Sequence, residues 1–129
     1  MYVIRSAAFA IHGGWRRSAQ ICIEPEYELE AFSNPSVIKT ADGYRMWFCS
    51  RSSDDYRDGR GSYRIKCADS TDGITFTRLP NGGLDVAPDG WDSKMTAYPY
   101  VVEVDGRLLM FYNGNGFGKT GIGYAEWKA

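Results

Sequence analysis

The sequence holds 129 residues, 43% of them hydrophobic and 15% aromatic, which suits one globular domain with a modest core and excludes a disordered chain. Fifteen Lys and Arg against sixteen Asp and Glu leave a formal charge of −1, so no broad basic face exists to draw nucleic acid or an anionic membrane. Three cysteines without a C-x-x-C spacing and a single histidine, His12, make no metal-ligand set, and no cofactor motif is present.

Cys22, Cys49 and Cys67 read as reduced, buried thiols, which points to the cytoplasm. The opening stretch MYVIRSAAFAIHGGW has too short an apolar run for a signal peptide, and nowhere do about 18 apolar residues run together as a membrane span needs. The expectation is a chain with no membrane partner.

In chain order, the predicted elements are strands. Tyr2 to Ile23 reads as two strands around the turn His12-Gly13-Gly14-Trp15. Val37-Ile38 and Tyr44 to Cys49 are short, rich in β-branched and aromatic residues, and separated by Asp42-Gly43. SSDDYRDGR (Ser52 to Arg60) reads as a mobile charged loop. Tyr63 to Ser70, the turn Asp72-Gly73 and a strand opening at Phe76 follow. Val101 to Val104 and Leu108 to Tyr112 then flank Asp105-Gly106. No segment shows a helical apolar period with caps, so the fold class is all-β.

The strands repeat. NPSVIKTADGYRMWFCSR (Asn34 to Arg51) set above YPYVVEVDGRLLMFYNGN (Tyr98 to Asn115) brings Pro35 onto Pro99 and Met46 onto Met110, both 64 residues apart. The Asp-Gly pair alone slips to 63, as a change of one residue in loop length would produce. YRIKCADS (Tyr63 to Ser70) then matches TGIGYAEW (Thr120 to Trp127), with Ile65 on Ile122 and a loop shorter by seven residues. Tyr2 to Ile23 is a weaker third copy of Tyr63 to Pro80.

Leu108 to Tyr112 lacks polar alternation, which predicts a strand covered on both faces, as in radially stacked four-stranded sheets. The expected architecture is a partial β-propeller of about two antiparallel blades, cut out of phase, within one domain over 1–129. Residues 2–23 supply the outer strands of a partial blade, 28–80 a full blade, and 91–127 a second, incomplete one. Such blades leave faces uncovered, so completion by a homo-oligomer is expected, with the N-terminal strands closing the last blade of another copy.

The glycines of MFYNGNGFGKTGIGYAEW do not form G-x-G-x-x-G ahead of a helix, nor a Walker-type loop. They read as a connection between blade strands, with glycines at positive φ and Asn113 and Asn115 bonding nearby backbone.

NPSVIKTADGYRMWFCSR, GSYRIKCADSTDGITF and WDSKMTAYPYVVEVDGRLLMFYNGNGFGKTGIGYA together resemble the last two blades of five-bladed propeller proteins related to glycosidases of the arabinanase and fructosidase type and to mannoside phosphorylases. The likeness extends to a glycosidase-like group of bacterial proteins and is most specific in Trp91-Asp92-Ser93, Tyr98-Pro99 and Asn113-Gly114-Asn115-Gly116. It implies a glycosidase-like module, and because at least half of the family's ring of carboxylate-bearing blades is absent from these residues, the first reading is carbohydrate binding without turnover. Two alternatives stay open: a glycoside hydrolase whose site is completed by oligomerisation, and an assembly domain with no small ligand.

Glycosidases need two carboxylates flanking the scissile bond. Asn34 and Tyr98 stand where the resemblance implies an acid at the start of an innermost strand. Glu30 and Asp92 are the remaining catalytic candidates. Glu30 reads either as a funnel residue or as a solvated loop carboxylate, and Asp92 as an acid or as a turn cap. Arg51 reads either as a sugar-binding group or as an ion-pair partner of Asp54, Asp55 or Asp58. Tyr63, Trp91 and Tyr98 read as pyranose platforms or as packing. With Asn34, Asn113 and Asn115 they make up the candidate saccharide contacts.

Overall fold

The computed structural model describes residues 2–57 and 59–128. Asp58, one of the acids expected near Arg51, lies outside the described residues. In chain order the elements are β1 (Arg5–Ala10), β2 (Gly14–Ile21), β3 (Glu30–Thr40), β4 (Gly43–Ser52), β5 (Arg64–Ser70), β6 (Thr77–Leu84), β7 (Ala97–Val104), β8 (Arg107–Asn113), the four-residue turn α1 (Asn115–Gly118) and β9 (Ile122–Glu126). The chain is all-β, in three open antiparallel sheets: β1-β2, β3-β4-β5-β6 and β7-β8-β9. The fourth strand of the central sheet runs on to Leu84, four residues past the boundary expected at 80.

The sequence repeat is a repeat of register. Ser33 pairs with Cys49 and Cys49 with Ile65, while at the matching positions Ala97 pairs with Asn113 and Asn113 with Ile122. The slipped Asp-Gly pair is not a change in loop length. Thr40 pairs with Gly43 and Val104 with Arg107, so both hairpins close with two residues. What differs is the turn. Asp105 (φ 51°) and Gly106 (φ 74°) are both left-handed, as a type I′ turn requires, whereas Ala41-Asp42 is followed by Gly43 at φ 149°.

Each inner strand is irregular at one equivalent place. The β3-β4 register shifts between Ser33 and Ser36, and the β7-β8 register between Ala97 and Tyr100. The residue before each proline is left-handed there, Asn34 at φ 49° and Tyr98 at φ 57°. Asn tolerates that region, but a tyrosine in it is strained.

Alternation along β4 explains its apolar run. Met46 and Phe48 face one way, where Phe32, Ala68 and Phe76 join Ile4, Cys22 and Ile23 from the base of the β1-β2 hairpin. Trp47 faces the other way, onto Val101, Met110 and Tyr112 of the third sheet. β4 is therefore buried on both faces. β8 is not: Met110 and Tyr112 point inward, but Phe111 is 42% exposed because no described sheet covers the outer face of β7-β8-β9.

The hairpin is fixed at its base by bonds from Cys22 N to Ile4 O (2.9 Å), Phe32 N to Tyr2 O (2.9 Å) and Phe76 N to Cys22 O (2.8 Å). Its tip extends into solvent, with Phe9 packed on Trp15 and Ile11 beside them. All three cysteines are free and buried, and burial pushes the thiols of Cys49 and Cys67 up to about 11. Among the described residues no helix is long and apolar enough to cross a membrane.

Candidate functional site

Because neighbouring strands are antiparallel, the ends of β4 and β8 and the starts of β3, β5 and β7 lie at one end of the sheets. The connections between β4 and β5, β6 and β7, and β8 and β9 gather there. They bring most of the candidate residues to one end, but not into one cluster.

Arg51, at the end of β4, is the centre of the group that does assemble. Its Nε donates to the Tyr63 hydroxyl (3.1 Å) and its Nη1 to the Ser52 carbonyl (2.8 Å). The guanidinium carbon lies 4.3 Å from the Tyr56 ring centre and 5.6 Å from those of Tyr63 and Tyr2, distances at which cation and ring attract. Tyr63 in turn meets Tyr98 and Phe117 edge-on, and Tyr98 and Phe117 stack with their planes 22° apart. The ion pairs considered with Asp54 and Asp55 do not form among the described residues.

The bulge at Asn34 and Tyr98 sets the backbone at this end. The Tyr98 amide donates to Cys49 Sγ at 3.1 Å, and the Val101 amide donates to Ser36 Oγ at 2.9 Å, tying β7 to β4 and β3. Burial raises the Tyr98 phenol, with help from Tyr63. The Arg57 hydrogen bond is the main influence lowering the Tyr56 phenol, and the Arg51 charge adds to it. Asn34 itself is exposed.

Glu30 is only 1% exposed, not a solvated loop carboxylate. Its Oε2 accepts from Arg78 Nη2 (2.7 Å) and the Glu26 amide (2.6 Å), and its Oε1 from Ser50 Oγ (2.5 Å). Arg78 also lies over Phe32 and Phe48, so Glu30 belongs to the hairpin-side face of the central sheet. Asp92 does not cap a turn: its Oδ2 accepts from the Tyr112 hydroxyl (2.7 Å) on the opposite side, between the central and third sheets. Burial first, and then Asp92, push the Tyr112 phenol above its usual range. The two candidate acids share no partner and are separated by the central sheet.

Trp91 is a packing plank. It stacks on Tyr112 with planes 29° apart, and Gly114, Gly121 and Gly123 lie against its ring. A Cβ on Gly123 would stand 2.6 Å from Trp91 Cζ2, and one on Gly114 would meet both the ring and the Trp91 carbonyl. Left-handed backbone accounts for Gly116, Gly118 and Gly121, but closeness to Trp91 accounts for Gly114 and Gly123. Asn115 is fully engaged, its Oδ1 accepting from the Lys94 and Met95 amides and its Nδ2 donating to the Gly90 carbonyl and Ser93 Oγ. Asn113 Nδ2 donates to the Phe117 carbonyl (3.1 Å) and supports the stacked ring.

Sequence reasoning missed Tyr56 and Phe117. Tyr56 sits in the segment read as a charged loop, where its aromatic character among eight polar or glycine neighbours was the available signal. The segment is tied down by Ser52 N to Gly61 O (2.9 Å) and Ser53 N to Leu29 O (2.7 Å). Phe117, at φ 60°, was hidden among glycines.

No family model matches the chain. Two uncharacterized proteins of Mycobacterium tuberculosis, from strains CDC 1551 / Oshkosh and H37Rv, are each 39% identical to it over 126 residues. The alignment takes in 96% of this chain but 40% of each relative. Among solved structures, a glycoside hydrolase superposes with a TM-score of 0.71 at 22% identity, over 95% of this chain and 35% of that one. A second structure, a BT0996 RGII complex, gives a TM-score of 0.72 at 22% identity over the same shares. The chain thus has a glycosidase-like all-β fold and spans well under half the length of the proteins it resembles.

Proposed function

We propose that this chain is a carbohydrate-binding module of propeller type, in which the central and third sheets are adjacent blades and the β1-β2 hairpin is the outer half of a third. The observation that carries this reading is the cluster of Arg51 with Tyr56, Tyr63, Tyr98 and Phe117. An apolar sugar face fits against aromatic rings, and a guanidinium supplies fixed donors to ring oxygens. No described carboxylate contacts the cluster. A glycosidase's two carboxyl groups stand about 5–9.5 Å apart across one substrate, and Glu30 and Asp92 are instead tied down on opposite faces of a sheet.

The test is thermal stabilisation by a broad glycan panel, with a parallel assay for released reducing sugar. The expected result is a rise in Tm with at least one sugar, lost in Tyr98→Ser, and no sugar release. Silence across the panel would leave an assembly domain without a small ligand. Release abolished by Glu30→Gln would make the chain a hydrolase.

A homo-oligomer is proposed on separate grounds. The outer face of the third sheet and the tip of the hairpin both leave large apolar side chains in water, at opposite ends of the stack. Repeated sheets of this kind bury such faces against a neighbour.

A further inference from the structure

The half-buried arginines of this chain follow a pattern that one of them breaks. Arg45 pairs with Asp69 (2.7 Å), Arg64 with Asp85 (3.0 Å) and Arg78 with Glu30 (2.7 Å). Arg51 is half-buried like them, yet among the described residues it has no carboxylate partner, and its Nη2 makes no hydrogen bond. The partners it does have, a phenol and a carbonyl, are neutral.

A half-buried guanidinium whose partners among the described residues are all neutral is a fixed cation, and its planar donors match a carboxylate. Its ring contacts hold it in place: Tyr56 covers one face, and the Tyr63 hydroxyl orients the Nε edge. One ring further on, Tyr98 stacks on Phe117, and Phe117 keeps 37% of its surface in solvent, which adds an aromatic group beside the charge. Charge and platform are thus joined through Tyr63, which touches all three side chains.

We infer that the ligand of this cluster is an acidic saccharide, a sugar whose ring carboxylate is taken by Arg51 while its apolar face lies on the Tyr98–Phe117 pair. This rests on the carbohydrate-binding reading above and narrows it to uronic acids. A neutral sugar would leave the guanidinium without its counter-charge. A small carboxylate alone would not use the ring pair.

The experiment is isothermal titration of D-glucuronate, D-galacturonate, D-glucose, D-galactose and acetate into the intact chain at matched ionic strength. The expected result is that at least one uronate binds about tenfold or more tightly than the corresponding neutral sugar, and more tightly than acetate, as a charge-assisted hydrogen bond allows. In Arg51→Met that preference disappears while any neutral-sugar binding is kept; Arg51→Lys keeps part of it, since the charge remains but the fork does not. Circular dichroism of both variants checks the fold, and Arg51→Lys carries the test if Arg51→Met does not fold. Equal binding of neutral and acidic sugars overturns the acidic specificity and leaves the carbohydrate reading standing. Acetate bound as tightly as the uronates overturns the saccharide part of both. A uronate preference unchanged in both Arg51 variants overturns the role of Arg51.

Discussion

At the scale of single residues, the glycines divide by what an added methyl group would meet, and that division is measurable. Gly123 lies against the Trp91 ring, so Gly123→Ala forces either the ring or strand β9 to shift. Overpacking of this kind costs about 1–3 kcal/mol. Gly13, in the hairpin turn, has ordinary negative-φ backbone, and a Cβ there would meet Arg16 at 3.6 Å and Ala10 at 3.7 Å. Gly13→Ala is expected to leave stability unchanged or slightly raised, because it removes freedom from the unfolded chain. Urea denaturation of the two variants beside the parent checks both, and equal midpoints for all three would refute the assignment of Trp91 as a plank. The same reasoning explains what could be read beforehand. That this loop is a connection with bonded asparagines was legible in its composition. That two of its glycines, Gly114 and Gly123, serve a tryptophan 23 and 32 residues upstream was not, because only the folded chain brings them together.

At the scale of elements, β9 is the last strand of its sheet and is held along its length to β8 only. At its end Glu126 accepts from Arg107 at 3.0 Å and 3.1 Å and pairs with Lys128 at 3.1 Å. Arg107 chiefly, then Lys128, hold the Glu126 carboxyl down to about 2. Because the folded value lies below the unfolded one of 4.5, the ionised form favours the fold: this contribution is complete above the unfolded value and is lost as pH falls toward 2. Amide exchange of β9 is therefore expected to quicken relative to β4 as pH drops from 5 to 2.5, after correction for intrinsic rates. In Arg107→Ala that acid-dependent part shrinks; an unchanged profile would count against the pair. Strand identity and register were legible throughout, since a spacing of 64 residues in the sequence became matched pairing in two sheets. The turn type was not, because Asp-Gly can occupy different places in a loop of the same length. The exposed side of β8 was not legible either: an apolar run records what a strand is built to bury, not whether its cover is present.

At the scale of the whole molecule, the exposed apolar groups are ordered. Tyr100, Phe111 and Tyr124 lie opposite one another across β7, β8 and β9 and form one aromatic row on the uncovered face. At the far end Phe9 and Trp15 are paired across the hairpin. Light scattering behind a sizing column is expected to give a single multiple of 14.5 kDa greater than one. Replacing both Phe111 and Tyr124 with Lys, on an exposed face, is expected to yield the monomer without loss of the circular-dichroism signal. A monomeric parent chain would refute the assembly. The candidate site was only partly legible at this scale. Arg51, Tyr63 and Tyr98 were all marked by sequence, but Glu30 and Asp92 looked equally promising. Only their separation onto opposite sides of the central sheet distinguishes them.

The left-handed backbone at Asn34 and Tyr98 has a further use. The conformation comes from the bulge and is shared by two unlike side chains, an amide and a phenol, so the sheet imposes it even where the residue is strained by it. Aspartate tolerates that backbone about as well as asparagine does. Asn34→Asp and Tyr98→Asp would therefore install acids at the two matching strand starts with the sheets intact, making this short chain a bench on which the minimum carboxylate set for sugar cleavage could be assembled one residue at a time.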